Sequence, residues 1–252
     1  MVRKLAVPII AILIFLGVWE ALVWVNDWPN YVMASPSDLP EAYSKFWNLF
    51  LVMGWQTLWR TVVGLLLAIV FGVALGMVMG FSRTMRDALY PLLVGFNAIP
   101  KATVVPIVAL LFVGAHDMNT VLIAFMISFF PIAVSVSIGL STLEPEYRDI
   151  LRSLGASQAT IFWKIALPKT LPEFFGALKV AVTLAFIGTN LMEIVSPHGR
   201  GLGALFDSGK TNADYPLMFA VLIALAFLGI VLYYVVVALE KIFAGWAERQ
   251  PT

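Results

Sequence analysis

Long apolar stretches separated by short polar ones dominate the pattern of this chain. Six of them approach or reach the length that an α-helix needs to cross a bilayer, about 20 residues at ~1.5 Å per residue. They occupy residues 5–25, 61–80, 89–113, 120–140, 174–195 and 217–239. The pattern predicts an all-α polytopic membrane protein with six transmembrane helices, formed by a single membrane domain over residues 1–252.

Two of these regions carry features that refine the prediction. Gly72, Gly76 and Gly80 recur every fourth residue in the second span, which places them on one face and lets another helix approach closely. The third span is interrupted by Pro100 and Pro106, and irregular backbone at membrane depth requires protein or a water-filled cavity around it. Residues 30–57 are mixed in character, and we expect them outside the membrane or along its surface.

Composition supports the membrane assignment and excludes other classes. Hydrophobic residues make up 61% of the 252 residues and charged residues only 12%, more apolar surface than a soluble core can hide. The chain has no cysteine, so neither a disulfide framework nor a thiolate metal site is expected. A net charge of +1 argues against nucleic acid as a partner.

The basic residues divide unequally between the two sides that six spans define. Eleven fall on the side of both termini and of the loop 141–173. Four fall on the other side, namely Lys45, Arg60, Arg200 and Lys210, and Lys101 lies within a span. The positive-inside rule therefore predicts that both termini and this loop are cytoplasmic.

The cytoplasmic loop contains a polar, helix-forming interval at residues 144–168. Gly155 interrupts it and Pro168 closes it, which predicts a helix, a bend, a short helix and a stop. Ile161 and Ile165 fall on one face of the second piece, and we expect Ile161 to point outward, where a soluble partner can hold it.

The spacing of this interval resembles the cytoplasmic signature of ABC-importer permeases. Gly155 is followed after nine residues by Ile165-Ala166-Leu167-Pro168, as in that family, while Asp149-Ile150-Leu151 stand where the family has Glu-Ala-Ala. Residues 58–61 resemble the start of the permease core, and the segments around residues 99–114 and 152–157 are similar to the nitrate/sulfonate/taurine branch of the family. The resemblance covers roughly residues 58–239.

This resemblance implies a type I ABC-importer permease fold and a location in the bacterial plasma membrane. It implies a homodimer or another pairing of permeases, two cytoplasmic ATPase subunits that bind ATP and magnesium, and an extracytoplasmic solute-binding protein. The residues that it assigns to the ATPase-coupling loop are Asp149, Gly155, Ala156, Ser157, Ala159, Ile161, Ile165, Leu167 and Pro168.

Polar residues inside the spans are candidates for a translocation pathway, because an ionisable group in a membrane helix is costly unless it serves a function. Thr183, Asn190 and Glu193 share a face of the fifth span. Asn97 and Lys101 lie one turn apart in the third span, where Lys101 would attract a small anion such as a sulfonate. The alternatives are a structural pairing of Glu193 and a hydrogen bond from Lys101 to carbonyls freed beside Pro100.

The chain is not expected to hydrolyse ATP itself or to hold a metal or cofactor. Gly209-Lys210-Thr211 ends like a phosphate-binding loop, but Ala204 replaces the required first glycine and no strand precedes it. No catalytic constellation appears. The sequence therefore predicts the permease subunit of an ATP-driven importer for a small polar, anionic solute, working by alternating access. An ion-coupled secondary transporter, with Glu193 and Lys101 as coupling groups, is the alternative.

Overall fold

The computed structural model describes residues 2–112, 114–141, 150, 153–196 and 199–246, with backbone alone for 2–6, 8–9 and 158–159. These residues form helices and contain no strand. The helices are α1 Val2–Val25, α2 Leu39–Phe81, α3 Arg83–Ala98, α4 Lys101–Leu111, α5 His116–Ser141, α6 Gln158–Ile161, α7 Leu167–Val195, α8 Leu202–Thr211 and α9 Tyr215–Ala244. A 3₁₀ turn, Pro36–Asp38, precedes α2, and a π-helical turn, Phe162–Ala166, joins α6 to α7.

The second predicted span begins far earlier than expected. α2 extends from Leu39 to Phe81 with a kink at Phe46, so residues 47–57 continue directly into the helix that carries residues 61–80. Pro36 and Pro40 occupy the first turns of the 3₁₀ segment and of α2, where a missing backbone N–H costs no hydrogen bond. Residues 39–57 are therefore helical, and the placement of 30–57 outside the membrane or along its surface stays a prediction.

The core of the molecule is a close packing of α2, α5 and α7. A methyl group added at Gly72 would lie 3.0 Å from Ile132, and one at Gly76 would lie 2.7 Å from Val136. A methyl group added at Gly188 of α7 would lie 3.1 Å from the Cα of Ala124. Small residues thus allow the three backbones to approach, and the predicted role of the glycines in the second span is confirmed.

The third predicted span is two helices. α3 and α4 meet at an angle of 87° across Ile99 and Pro100, and Pro100 forces the extended backbone seen at Ile99. The predicted break of the third span at Pro100 is therefore confirmed, and a single crossing of the membrane by residues 89–113 stays a prediction. Pro106, the second expected interruption, lies inside α4.

Length and composition support four or five membrane spans among the described residues. Four helical stretches qualify, and they contain the predicted spans at 61–80, 120–140, 174–195 and 217–239. The bent pair of α3 and α4 adds a fifth if it crosses once, and the described apolar part of α1 is the shorter stretch Ile10–Val25. Six spans with both termini on one side remain a prediction.

A second apolar cluster joins α1, the first half of α2, α8 and α9. It includes Trp19, Phe50, Leu205 and Leu217. The segment 196–215, expected to be a loop, contains the helix α8, which buries Leu202 and Leu205 against its neighbours. This end of the molecule is therefore a packed layer.

Candidate coupling segment and translocation face

The coupling segment turns at Gly155, as the pattern predicts. The backbone there has φ +80°, in the left-handed region that side chains other than glycine rarely adopt, and no atom lies within 4 Å of where a Cβ would be. The Ser157 hydroxyl then accepts a hydrogen bond from the backbone N–H of Thr160 at 3.1 Å and caps the start of α6. Asp149, the carboxylate predicted for the coupling loop, lies outside the described residues.

The exposed side chains of this segment differ from the predicted ones. Ile161 is only 3% exposed and packs inward, while Leu154, directly before the glycine, is 78% exposed. The expectation that Ile161 points outward is therefore wrong, and the exposed apolar side chains near the turn include Leu154, Trp163 at 65% and Ile150 at 57%. Ala156 and Ile165 are half-buried, and the side chain of Ala159 is outside the described set.

The helix does not stop at Pro168. The N–H of Leu167 donates to the carbonyl of Phe162, five residues back, and this widened turn lies directly before the proline. Leu167 and Pro168 are the first residues of α7, which continues to Val195. The predicted stop was therefore wrong, because a proline is tolerated in the first turn of a helix. Residues 158–195 form one helical run from the coupling segment to the far end of α7.

α7 carries the predicted polar positions of the pathway on one helix. Thr183 is exposed, and its hydroxyl donates to the carbonyl of Lys179 at 3.1 Å. The Asn190 amide nitrogen donates to the carbonyl of Phe186 at 2.7 Å, while its buried amide oxygen has no donor among the described residues. Lys179 forms an ion pair of 2.8 Å with Glu240 of α9. The exposed surface of α7 beside Thr183 is therefore largely apolar and formally neutral.

Lys101 holds the bend between α3 and α4. Its ammonium group donates to the carbonyls of Phe96, Asn97 and Ile99 at 3.0, 2.8 and 3.1 Å. A lysine has three N–H donors, so all of them are used. The hydrogen bond to freed carbonyls, one of the two alternatives from the sequence, is thus the observed arrangement. Asn97 contributes its backbone carbonyl to it.

Glu193 lies in a buried cluster at the outer end of α7. Its carboxylate accepts hydrogen bonds from the Thr57 hydroxyl at 2.8 Å, from the backbone N–H of Gly203 at 3.0 Å and from Arg60 at 3.1 Å. Gly201, with φ +121°, brings the chain so close to this carboxylate that a Cβ would overlap it. All three of these donors to Glu193 are protein groups. The structural pairing, which was the alternative to a role in the pathway, is therefore the observed arrangement.

Arg60 extends this cluster to two further elements. Its Nε donates to Asp117 at the start of α5 at 2.8 Å, and its Nη1 donates to the carbonyl of Arg200. The backbone N–H of Leu202 donates to the Thr57 hydroxyl at 2.8 Å. The cluster therefore ties α2, α5, α7 and α8 together.

Sequence reasoning missed Arg60, Thr57 and Asp117, and it counted Arg60 among the outer loop charges. The available signal was an arginine one residue before an apolar span, because a charge at that position requires a partner within the protein.

Other candidate chemistry is absent from the described part of the chain. Gly209-Lys210-Thr211 ends α8, whereas a phosphate loop precedes a helix, so no cradle for ATP forms there. The described residues contain no group of three His, Asp or Glu side chains that could hold a metal ion.

Comparison with known proteins assigns the chain to a family. The sequence profile of the binding-protein-dependent transport system inner membrane component matches residues 68–246. The chain belongs to this family. It is 31% identical to the formylaminopyrimidine transport permease of Halalkalibacterium halodurans, with 96% of each chain covered. The predicted resemblance to ABC-importer permeases is thereby confirmed, and with it a multi-pass membrane protein.

Two further relatives and one solved structure extend the comparison. The riboflavin transport permease of Chloroflexus aurantiacus is 30% identical over 94% of this chain and 88% of the relative. The taurine transport permease of Escherichia coli is 24% identical over 97% and 90%. The inward-facing MetNI methionine ABC transporter matches with a TM-score of 0.65 at 19% identity, covering 79% of this chain and 98% of the MetNI chain. This likeness supports the type I permease fold.

Proposed function

We propose that this chain is the membrane subunit that forms the solute path of an ATP-driven importer for a small polar organic molecule. The observation that carries the proposal is the helical run 158–195. It begins at the coupling segment after Gly155, passes the exposed Thr183 and ends at the buried Glu193. A displacement applied at the loop is therefore transmitted along one helix to the exposed surface around Thr183 and to the buried cluster around Glu193.

The mechanism that fits this arrangement is alternating access. Closure of two cytoplasmic ATPase subunits, which bind the ATP and magnesium, moves the coupling segment through contacts to Leu154. Because α2, α5 and α7 are closely packed around their glycines, they move as one unit. The cavity between two paired permeases then opens outward, receives solute from an extracytoplasmic binding protein, and opens inward when the ATPases separate.

The topology that accompanies this proposal has six spans in a bacterial plasma membrane. Both termini and the coupling segment are cytoplasmic, and α8 lies on the outer side. The excess of basic residues on the side of the coupling segment supports this orientation.

The solute class that the described residues favour is a neutral one, such as a nitrogen heterocycle. The ammonium of Lys101 donates to three carbonyls, Lys179 is paired with Glu240, and Arg60 is engaged in the outer cluster. These cations therefore offer little to the anion that the sequence favoured. The relatives named for formylaminopyrimidine and riboflavin, at 31% and 30% identity, also exceed the taurine relative at 24%.

The ion-coupled alternative is not favoured by any contact described above. Glu193 already accepts three hydrogen bonds from protein groups, and Lys101 donates to three carbonyls. Coupling to a proton or cation would require these groups to exchange their partners in each cycle.

The coupling proposal is tested by the substitution Gly155→Val in cells that also produce a tagged partner ATPase. A left-handed backbone at a branched residue costs about 1–3 kcal/mol, so the turn should distort. We expect the permease to insert normally, the ATPase to co-purify poorly and uptake to be lost. Gly114→Val is the matched control, because Gly114 has φ +85° and an equally open surrounding but lies on the predicted outer side.

Normal ATPase recovery and uptake in Gly155→Val, or equal loss in Gly114→Val, would remove the coupling role of this turn.

The solute is tested separately, by uptake of labelled pyrimidines and of taurine into cells that carry the permease, its ATPase and its binding protein. Import of taurine without import of any heterocycle would reject the neutral solute class and leave the importer assignment intact.

A further inference from the structure

A widened turn interrupts the regular helix between the coupling segment and α7. In the π-helical turn Phe162–Ala166 the N–H of Leu167 donates to the carbonyl of Phe162, five residues back. Such a turn holds one residue more than an α-helical turn, and single π turns inside α-helices are rare and frequent at functional sites. The turn therefore sets how the chain before it is rotated relative to α7.

The burial pattern shows what the extra residue does. Ile161, Ala166 and Thr170 are each only 3% exposed. Ala166 and Thr170, four residues apart, share a face of an α-helix, whereas Ile161 and Ala166 are five apart and would point about 140° away from each other in one. The widened turn brings Ile161 onto the buried face. An α-helical turn would put Phe162 there instead, and Trp163 would take the present position of Phe162.

The surroundings have room for this second arrangement. A cavity of about 130 Å³ lies beside the turn, and Phe162, Val73 of α2 and Val136 of α5 contribute to its lining. The exchange of Ile161 for Phe162, and of Phe162 for Trp163, adds side-chain volume that this cavity can accept. The side chain of Trp163 is 65% exposed at present, so the change would also remove apolar surface from water.

Pro168 opposes the second arrangement. In an uninterrupted α-helix, the ring of a proline clashes with the carbonyl four residues earlier, which here belongs to Lys164. The widened turn lies directly before this proline, so Pro168 favours the present arrangement. The turn at Gly155 has no atom within 4 Å of where a Cβ would lie, which leaves space for a rotation. Pro168 and the burial of Trp163 thus act in opposite directions, as a two-state element requires.

We propose that the turn Phe162–Ala166 is a register switch between the coupling segment and α7. It is π-helical in the present conformation and becomes α-helical when the partner ATPases close, which rotates the coupling segment by about 100° about the helix axis. The trigger rests on the proposed function, because the closing ATPases supply the force. The two registers depend on this chain alone.

The register can be determined from single cysteines, because the chain has none of its own. Ile161→Cys is buried in the present register and leaves the buried face in the other. The purified permease is treated in detergent with a water-soluble thiol reagent. Addition of Pro168→Ala removes the clash, and the thiol should then react roughly tenfold faster, because it no longer needs a local opening of the protein. Pro172→Ala is the matched control, because this proline lies inside α7 beyond the turn and should leave the rate unchanged.

The trigger is tested in the complex with a tagged partner ATPase, held closed with ATP and vanadate. In this complex Ile161→Cys should react roughly tenfold faster than in the nucleotide-free complex, and Trp163→Cys should react more slowly. Thr170→Cys is buried on the other side of the turn and should stay unreactive in both states.

Unchanged reactivity of Ile161→Cys, both with Pro168→Ala and in a closed complex that imports solute, overturns the register switch and leaves the importer function intact. An equal gain in Thr170→Cys also overturns it, since α7 as a whole would then have loosened. If Ile161→Cys fails to fold, equal reactivity of Trp163→Cys in the two nucleotide states rejects the switch. Failure of the ATPase to co-purify with the wild type rejects the proposed function and the trigger, and Pro168→Ala still decides whether the two registers exist.

Discussion

Arg60 of α2 and Glu193 of α7 form an ion pair, 3.1 Å between Nη1 and Oε1, with side chains only 2% and 1% exposed. The remaining donors and acceptors of the pair are used by Thr57, Asp117, Gly203 and the carbonyl of Arg200. Two charges buried this completely are tolerated only when both are paired and hydrogen-bonded. The pair and its partners therefore connect the middle of α2 to the starts of α5 and α8 and to the last turn of α7.

Removal of one partner from this pair should be strongly destabilising. Glu193→Ala removes the buried partner and leaves Arg60 paired with Asp117, whose side chain is 57% exposed, and we expect the free energy of unfolding to fall by about 3–5 kcal/mol. Glu240→Ala is the matched control. Its pair with Lys179 is partly exposed and should contribute about 1 kcal/mol or less to stability. The thermal unfolding of both variants is measured in one detergent. Similar losses of stability in the two variants would contradict the conclusion that burial makes the Arg60–Glu193 pair the more important one.

The close approach of α2 and α5 predicts a contrast between two glycines. In Gly76→Ala the new methyl would lie 2.7 Å from the Ala133 carbonyl oxygen, so the helices must separate, at a cost of about 1–3 kcal/mol. Gly176→Ala in α7 meets no atom within 4 Å and should be neutral or stabilising by about 0.5–1 kcal/mol. Unfolding temperatures of the two variants test this, and a stable Gly76→Ala would show that the packing is looser than described.

The geometry of Lys101 predicts a structural defect rather than a change of solute charge preference. Lys101→Met removes the donors to three carbonyls at the end of α3, and we expect stability to fall by about 1–3 kcal/mol. Uptake should fall in proportion to the amount of folded protein, with unaltered KM. Thermal unfolding and uptake kinetics are measured on the same preparations. A normal stability with a raised KM for an anionic solute would restore Lys101 to the pathway.

The predicted orientation can be tested directly because the chain has no cysteine. Ser157 and Ser208 are both exposed, so a single cysteine at either position is accessible to an impermeant thiol reagent. We expect Ser157→Cys to react only from the cytoplasm and Ser208→Cys only from outside. Reaction of both from the same side would reject the six-span topology.

Much of the fold follows from local features of the sequence. Gly155 illustrates this, since an isolated glycine between two helix-forming stretches predicts a turn, and the backbone there is left-handed. The break at Pro100 follows in the same way, because proline restricts its own backbone and that of the residue before it. Four predicted apolar spans lie within the qualifying helices for a similar reason, since hydrophobicity is a property of consecutive residues.

The candidate site was predicted less well, because orientation and partners are not local properties. The inward position of Ile161 depends on packing, and the π-helical turn that lets the chain continue through Pro168 has no evident sequence signal. The sequence left two roles open for Lys101, because both an anion and a backbone carbonyl attract an ammonium group. The folded backbone selects the carbonyls, since it places three of them within 3.1 Å of the Lys101 nitrogen.

The sequence by itself determined the membrane class, the positions of most spans, the turn at Gly155 and the resemblance to the permease family. Only the tertiary structure decided that Arg60 and Glu193, 133 residues apart, meet in a buried ion pair. The physical reason is that burial of a charge or donor depends on which helices meet. Hydrophobic periodicity specifies that a helix has a neighbour, and the close packing of glycines against Ala124, Ile132 and Val136 specifies which neighbour it is.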